Sequence, residues 1–451
     1  MKTVDIVERI EGEAKLNCTW KDGIISDARI DFLNFRGFEY ILEGKSPLDA
    51  LIYTPRICGI CGQAHLKATV DALENVYENI GEKLEVTQKA KLLRQIGLNI
   101  EIIDSHIKWF YLFIMPDIIK LDSNDLGIYE PLKGQRWLEA CKTASETIKS
   151  LAIIGGQWPH SSYMLPGGVV SDPTLMDLVN MQNYLHYALV FFEKSIAGIS
   201  LENYLSFDSV NNIEKLNSDM KCFKDLCLKH NLQNFGKSYN RFITLGETNL
   251  FKNGKIKIKL VNKIDLTKVS ENSYFTFSMI EKENNDKKHT WSKSVSYNDN
   301  IYETGPLARA ITSNRKFIKD IHKNYADSVF TRVMSRLDEL AYLIDDTKSL
   351  ISKINIKEDS FIKPKIILSE IEKASAISVV EATRGSLYHK INIEKGKIKS
   401  YDVITPTVWN LGPVYKKQKG IAQNAMIGLP SIEIAKIVLR SFDVCSVCTT
   451  H

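Results

Sequence analysis

Two Cys-x-x-Cys pairs stand at opposite ends of the chain. The front pair lies in Arg56-Ile57-Cys58-Gly59-Ile60-Cys61-Gly62-Gln63-Ala64-His65, the other in Asp443-Val444-Cys445-Ser446-Val447-Cys448-Thr449-Thr450-His451. Four thiols in matched pairs can supply four thiolates to one soft metal centre, and thiolates also bridge two metals readily. A structural Cys₄ zinc site is the alternative. Ribbon-type zinc sites usually place their pairs about 15–20 residues apart and staple a small local unit. Here several hundred residues separate the pairs, so a shared metal would join the two ends of a large chain. Each pair also has a histidine behind it (His65, His451) and a charged residue ahead of it (Arg56, Asp443), which a zinc staple does not need.

Elements that can hold such a centre are visible along the chain. Ala14 to Trp20 and Ile24 to Phe35 read as strands around a turn at Lys21-Asp22-Gly23. Leu92, Ile96, Ile100, Ile103 and Ile107 recur at helical spacing and predict a helix over 84–115, stopped or kinked at Pro116, with His106 as a packed residue. A second long helix is expected over 173–205, capped by Asp172-Pro173. Between 209 and 300 the composition turns to asparagine and lysine, with an alternating strand at 255–260 and a charged tip at 282–288. Val333, Leu337, Leu340, Ile344 and Ile351 predict a long amphipathic helix. Another helix is expected near 365–377, a hairpin about Lys395-Gly396-Lys397, and a last helix over 431–440 leading into the terminal cysteines. The expected class is mainly α with small α/β parts: a central bundle of long helices with peripheral β-containing subdomains. Inward side chains from facing helices suit a buried metal. One domain over 1–451 would divide into a β segment with the first cysteine pair (1–83), the long-helix bundle (84–208), a peripheral β-containing part (209–304) and the helices, hairpin and final pair (305–451).

Bulk properties narrow the function classes. At 451 residues the chain exceeds the size at which single cores stop growing. Its hydrophobic fraction of 44% and charged fraction of 25% are ordinary for a globular protein. The net charge of +5 comes without a basic block or an aromatic-and-basic motif, so nucleic acid is not an expected partner. No stretch approaches the roughly 18 apolar residues of a direct transmembrane segment. The N-terminus lacks the apolar core of a secretory signal. Cytoplasmic placement is expected; membrane association through partners, or export with a small subunit carrying the signal, is compatible with it. Eight cysteines in this length do not make a disulfide scaffold, and Cys18, Cys141, Cys222 and Cys227 read as isolated thiols.

The chain resembles the large subunit of nickel–iron hydrogenases. The front motif resembles that family's R-x-C-G-x-C-x-x-x-H and the end its D-P-C-x-x-C-x-x-H. Further stretches fall in the family's order: Arg9-Ile10-Glu11-Gly12, Arg36-Gly37-Phe38-Glu39, Pro166-Gly167-Gly168, Gly305-Pro306-Leu307-Ala308-Arg309, Glu381-Ala382-Thr383-Arg384-Gly385 and Pro406-Thr407-Val408-Trp409-Asn410. The resemblance implies reversible heterolytic cleavage of dihydrogen, in the uptake direction, at a nickel–iron centre with carbon monoxide and cyanide on iron. Cys58 and Cys445 would be terminal nickel ligands; Cys61 and Cys448 would bridge the metals. Glu11 would relay protons, Cys445 would take the first proton, and Arg384 would hang over the open site with Asp443 as its partner. His65 would hydrogen-bond a bridging sulfur and Thr407 an iron cyanide. A magnesium-type ion would be bound by Glu39, His451 and the carbonyl of Leu411. Partners implied are an iron–sulfur small subunit, which would carry electrons away, and maturation proteins; the heterodimer could assemble further. Val444, Thr383 and Val408 depart from the family's usual proline, proline and threonine. A hydrogen-sensing subunit of low turnover is the competing function, and a non-catalytic relative, as in respiratory complex I, is a third class that has generally lost these cysteines.

Overall fold

A computed structural model describes residues 1–122, 126–279 and 287–449. His451 and most of the charged 282–288 tip lie outside the described residues.

Strands β1 (Lys2–Ile6), β2 (Lys15–Lys21) and β3 (Ile24–Asp31) form an antiparallel meander, turned at Asp22-Gly23 as the sequence predicts. The front cysteine pair follows, and Cys61 immediately precedes helix α1 (Gly62–Asn79). Helix α2 (Gln88–Lys108) is buried on almost every side, including polar positions such as Arg94, Asn99, Glu101 and His106, which therefore need partners. It does not stop at Pro116. A π turn over Trp109–Ile114 precedes a further helical turn at Met115–Ile118. The missing proline N–H is thus absorbed by rewinding the chain ahead of it.

Helix α3 (Gln135–Thr147) packs between α2 and α4 (Leu175–Phe191). The expected 173–205 helix is two helices: α4 ends in a π turn at Phe192–Ile196, and a separate short helix spans Leu201–Leu205. Its cap is Thr174, in a capping box with Asp177, rather than Asp172, whose carboxylate instead meets Lys89 and Ser360. Helix α5 (Val329–Ser352), capped by Ser328, runs against α2 through the centre. Its stripe of Val333, Leu337, Leu340 and Ile344 is buried, and each such side chain contributes about 1.5–3 kcal/mol.

The 365–377 stretch is not a helix. After a single 3₁₀ turn at Leu368–Glu370 it becomes β4 (Lys373–Ala382), paired along its length with β5 (Gly385–Glu394), which continues through the predicted hairpin into β6 (Lys397–Ile404). Helix α1 lies across this sheet. The alternating run at 255–260 is likewise broken, into Gly254–Ile256 and Leu260–Val261, because the chain turns back between them to pair antiparallel. Finally α6 (Pro406–Leu411) and α7 (Ile432–Ser441) lead to the terminal cysteines. The fold is therefore mainly helical, with small sheets at its edges. Among the described residues no helix is long and apolar enough to cross a membrane.

Candidate metal centre

The two cysteine pairs meet in the interior. Sγ of Cys58 lies 3.7 Å from Sγ of Cys445, Cys61 lies 3.7 Å from Cys448, and Cys445 and Cys448 are 2.9 Å apart. All four are buried and all eight cysteines of the chain are free thiols. Two sulfurs each about 2.3 Å from one metal fall within this range of separations at ordinary ligand angles. Among the described residues, the groupings able to hold a metal are Cys58 with Cys445 and Cys448, and Cys61 with His65 and Cys448. Packed together, the thiols do not ionise independently. S–H donation, from Cys445 foremost, stabilises the Cys58 thiolate and holds it well below the usual range, while burial pushes Cys445 well up.

Each pair is positioned differently. The front pair ends at the N-terminus of α1, where amides lack helical partners. The Glu101 carboxylate of α2 accepts from Gln63 N at 2.7 Å and Ala64 N at 3.1 Å. Burial pushes Glu101 well above the usual carboxylate range despite those bonds. The end pair follows a reversal at Asp443, whose φ is 62°, and sits in a 3₁₀ turn over Ser446–Cys448. Remote groups hold it. Ser446 N donates to Glu11 O at 2.8 Å, Ser446 Oγ to Glu13 O at 2.5 Å, and Thr405 Oγ1 to Cys448 O at 2.6 Å. Gly12, at φ 84°, lets the two strands approach: a Cβ there would lie 3.0 Å from the Ser446 and Val447 side chains. Arg440 reinforces this junction by donating to Arg9 O and Glu8 O at 2.6 and 2.7 Å.

Arg384 and Asp443 come together as the motifs predict. Arg384 Nε is 3.1 Å from Asp443 Oδ1, and Arg336 Nη1 is 3.4 Å from Asp443 Oδ2. Burial opposes the Arg384 charge, but Asp443 and then the neighbouring Cys445 and Cys58 sulfurs hold its pKa well above the usual value. Arg336 responds oppositely: burial lowers it to about 10. The turn that aims Arg384 is fixed by Arg309, which forks onto Glu339 at 2.8 and 2.6 Å and donates to Ala382 O and Thr383 O at 2.8 and 3.2 Å. Gly385, at φ 131°, allows this turn to touch Gly305 and Thr304, which a Cβ would meet at 2.6 Å. Glu11 is half-buried, with its carboxylate beside the Cys58–Gly59 corner; burial, then the Cys58 thiolate, raises its pKa.

The donors fit a metal group with acceptors of its own. Arg384 Nη1 and the Thr407 hydroxyl are buried and find no hydrogen-bond partner among the described residues. Comparison with known proteins agrees with this geometry. The family model described as nickel-dependent hydrogenase matches residues 36–124 and 132–451. The chain belongs to the nickel-dependent hydrogenase family. It is 25% identical to the periplasmic [NiFeSe] hydrogenase large subunit of Desulfomicrobium baculatum, over 100% of this chain and 94% of that protein. It is 22% identical to the hydrogenase-2 large chain of Escherichia coli, over 100% and 96%. The Ni-Fe-Se hydrogenase structure from D. vulgaris Hildenborough shares the fold, with a TM-score of 0.86, 22% identity and complete coverage of both chains.

Of the other residues singled out from the hydrogenase-family pattern, His65 falls at the same centre. His65 joins Cys61 and Cys448 with ligand atoms within 4.8 Å of one another. Glu39 lies apart, in a cavity of about 230 Å³ also lined by Glu271, Lys293, Val408 and Thr449. Its Oε1 accepts from Val403 N at 2.8 Å, and its Oε2 is 3.5 Å from Lys293 Nζ. Lys293 is also 2.9 Å from Glu271, whose pKa burial pushes up to about 7. Leu411 ends α6 and is buried, and Thr449, the last described residue, lines the Glu39 cavity. Of the three departures, Thr383 leaves its hydroxyl buried with no partner among the described residues.

The sequence reading missed Glu101, Arg309's bracing role, Arg336 and His389. Glu101 and Arg336 sit inside helices that the pattern already marked as apolar. A charged residue at such a position was the available signal. His389 carries none, because only the pairing of β5 brings it to His65.

Proposed function

We propose that this chain is the catalytic large subunit of a hydrogenase that cleaves dihydrogen heterolytically, in the uptake direction, at a nickel–iron centre. The convergence of four buried sulfurs beneath a buried arginine carries this reading. Cys58 and Cys445 would hold nickel as terminal ligands, and Cys61 and Cys448 would bridge to an iron bearing carbon monoxide and cyanide. Bound there, the metals would supply the Lewis acidity and redox capacity that polarise a molecule as weakly acidic as dihydrogen.

The protein's part is proton handling and electrostatics. Cys445 takes the proton at its sulfur. Glu11, bridged through its backbone to Cys445, receives that proton on its carboxylate. Its pKa, raised first by burial and then by Cys58, makes it a better proton carrier than an ordinary exposed carboxylate. Arg384 stays charged, is oriented by Asp443, and steadies the negative charge gathered on the thiolates. Thr407 offers its hydroxyl to a cyanide. A magnesium-type ion would be held by Glu39, the Leu411 carbonyl and His451, which lies outside the described residues, and would compete with Lys293 for the Glu39 carboxylate. Hard oxygen donors favour that ion.

Electrons need a separate road. The metal-holding groups among the described residues all belong to the two cysteine pairs and His65, so an iron–sulfur small subunit is the proposed acceptor. Glu11→Gln tests the relay. It keeps size and hydrogen bonding but removes the titrating proton. Nickel content should persist while hydrogen–deuterium exchange with water falls by about 10²-fold or more, in line with loss of a positioned acid–base group. Unchanged exchange would assign the proton to another group.

A further inference from the structure

His65 does not face the sulfurs alone. Its Nδ1 is 3.0 Å from His389 Nε2, and His389 Nδ1 is 2.8 Å from the Tyr401 hydroxyl. Tyr401 is 3.0 Å from Thr69 Oγ1, which is 2.7 Å from Thr54 Oγ1. All five side chains are buried. They come from the Thr54–Arg56 turn, α1, β5 and β6, so the chain of contacts crosses from the front cysteine motif into the β4–β6 sheet.

Proton counting gives this chain a direction. Thr54 Oγ1 donates to Ala50 O at 2.9 Å, leaving its oxygen to accept. Thr69 can donate to Thr54, to His65 O at 3.0 Å, or toward His389 Nδ1 at 3.4 Å, a longer contact than the one Tyr401 makes with that nitrogen. With Nδ1 of His65 engaged by His389, the sulfurs of Cys61 and Cys448 are left to Nε2. A neutral imidazole has one N–H and one lone pair. A lone pair aimed at metal-bound thiolates would be repelled, so Nε2 must carry the proton. His65 Nδ1 then accepts, His389 Nε2–H donates to it, and His389 Nδ1 accepts in turn from Tyr401 O–H. The opposite direction, with Tyr401 donating to Thr69, would turn both rings over and present a lone pair to sulfur.

We infer that His389 and Tyr401 are positioning residues that fix the Nε2–H tautomer of His65, and through it the hydrogen bond onto a bridging cysteine sulfur. This rests on the nickel–iron reading above. Partners on the far side of an imidazole commonly set its tautomer and basicity, and hydrogen bonds to sulfur are among the levers on metal–thiolate potentials. Losing such a bond leaves the sulfur richer in electrons. The metals then donate more into a bound carbonyl and become harder to reduce.

The test uses the assembled holoenzyme and its infrared carbonyl band, with the nickel midpoint potential followed by electron paramagnetic resonance. Tyr401→Phe removes the directing O–H and keeps the ring. His389→Leu removes the relay. Both should retain nickel, shift the carbonyl band to lower wavenumber and move the potential negative. His389→Gln can place an amide N–H₂ donor toward His65 without help from Tyr401, and it should stay closer to wild type than His389→Leu in both readouts. A band and potential unmoved in Tyr401→Phe and His389→Leu, at full nickel content, overturn the inference. So does a His389→Gln protein that shifts as far as His389→Leu. A wild-type protein without any carbonyl band overturns the nickel–iron reading, and this inference with it.

Discussion

The two cysteine pairs contribute the same atoms to one pocket but reach it by different means. Cys58 and Cys61 lie in the bend at 57–61 between the Thr54–Arg56 turn and α1, whose first amides are bound by Glu101. Cys445 and Cys448 lie beyond the last helix, in a single 3₁₀ turn with little regular structure of its own. Their position is borrowed from Glu11, Glu13, Thr405 and the Arg384–Asp443 pair. The front sulfurs are set by two flanking helical segments, one of them braced by Glu101, and the end sulfurs by tertiary tethers. Metal retention should therefore be more sensitive to the tethers than to the helix cap, even where the cap is worth more stability.

Asp443→Ala should have the largest effect. It leaves Arg384 and Arg336 buried without their shared carboxylate. Breaking a buried pair from one side typically costs about 3–5 kcal/mol. Denaturant unfolding should show that loss, and nickel should be absent or leave rapidly. Stability within the scatter of surface mutants would mean that the end pair does not depend on this tether.

Glu101→Gln comes next. An amide can no longer serve both α1 amides as an acceptor, and an unsatisfied buried group costs about 1–3 kcal/mol. The pH dependence has a defined sign. Glu101 has its pKa raised in the folded protein, so over the interval between its unfolded and folded pKa the native state binds the extra proton. Its contribution to stability is present at low pH and declines as pH rises through that interval. The Gln variant should lose this component of the decline. Unfolding midpoints across a pH series will show it; an unchanged slope would argue that Glu101 is not the titrating group.

Thr405→Val is the smallest change energetically and the sharpest for the comparison. It removes one hydrogen bond to Cys448 O, worth about 1 kcal/mol. Nickel should nevertheless dissociate faster from Thr405→Val than from Glu101→Gln. The reverse order of dissociation rates would break the distinction between the pairs.

The same division decides what could be read from the sequence. The long α5 stripe, the β2–β3 turn and the Ser431-capped α7 were legible because each is written in local periodicity and caps. The front cysteine motif was legible as a metal ligand set for the same reason. Residues 365–377 do not form the expected helix because the chain makes only a 3₁₀ turn at Leu368–Glu370 and from Lys373 pairs with β5, a partner written elsewhere in the sequence. Thr174 rather than Asp172 caps α4 because it stands three residues before Asp177 and so completes the reciprocal capping box. The Arg384–Asp443 contact was anticipated from the family motifs. Arg336, which completes it, was not: its place in the apolar pattern of α5 marked it as buried, but only packing of the chain's last segment onto α5 gives it Asp443.

The central claim is that these four thiols form a nickel–iron centre and not a zinc staple. Metal analysis of the matured chain, purified free of any partner subunit, tests it most directly. Nickel and iron in equal amounts, with infrared bands for carbon monoxide and cyanide, are expected. Zinc in place of nickel, with no such bands, would contradict it.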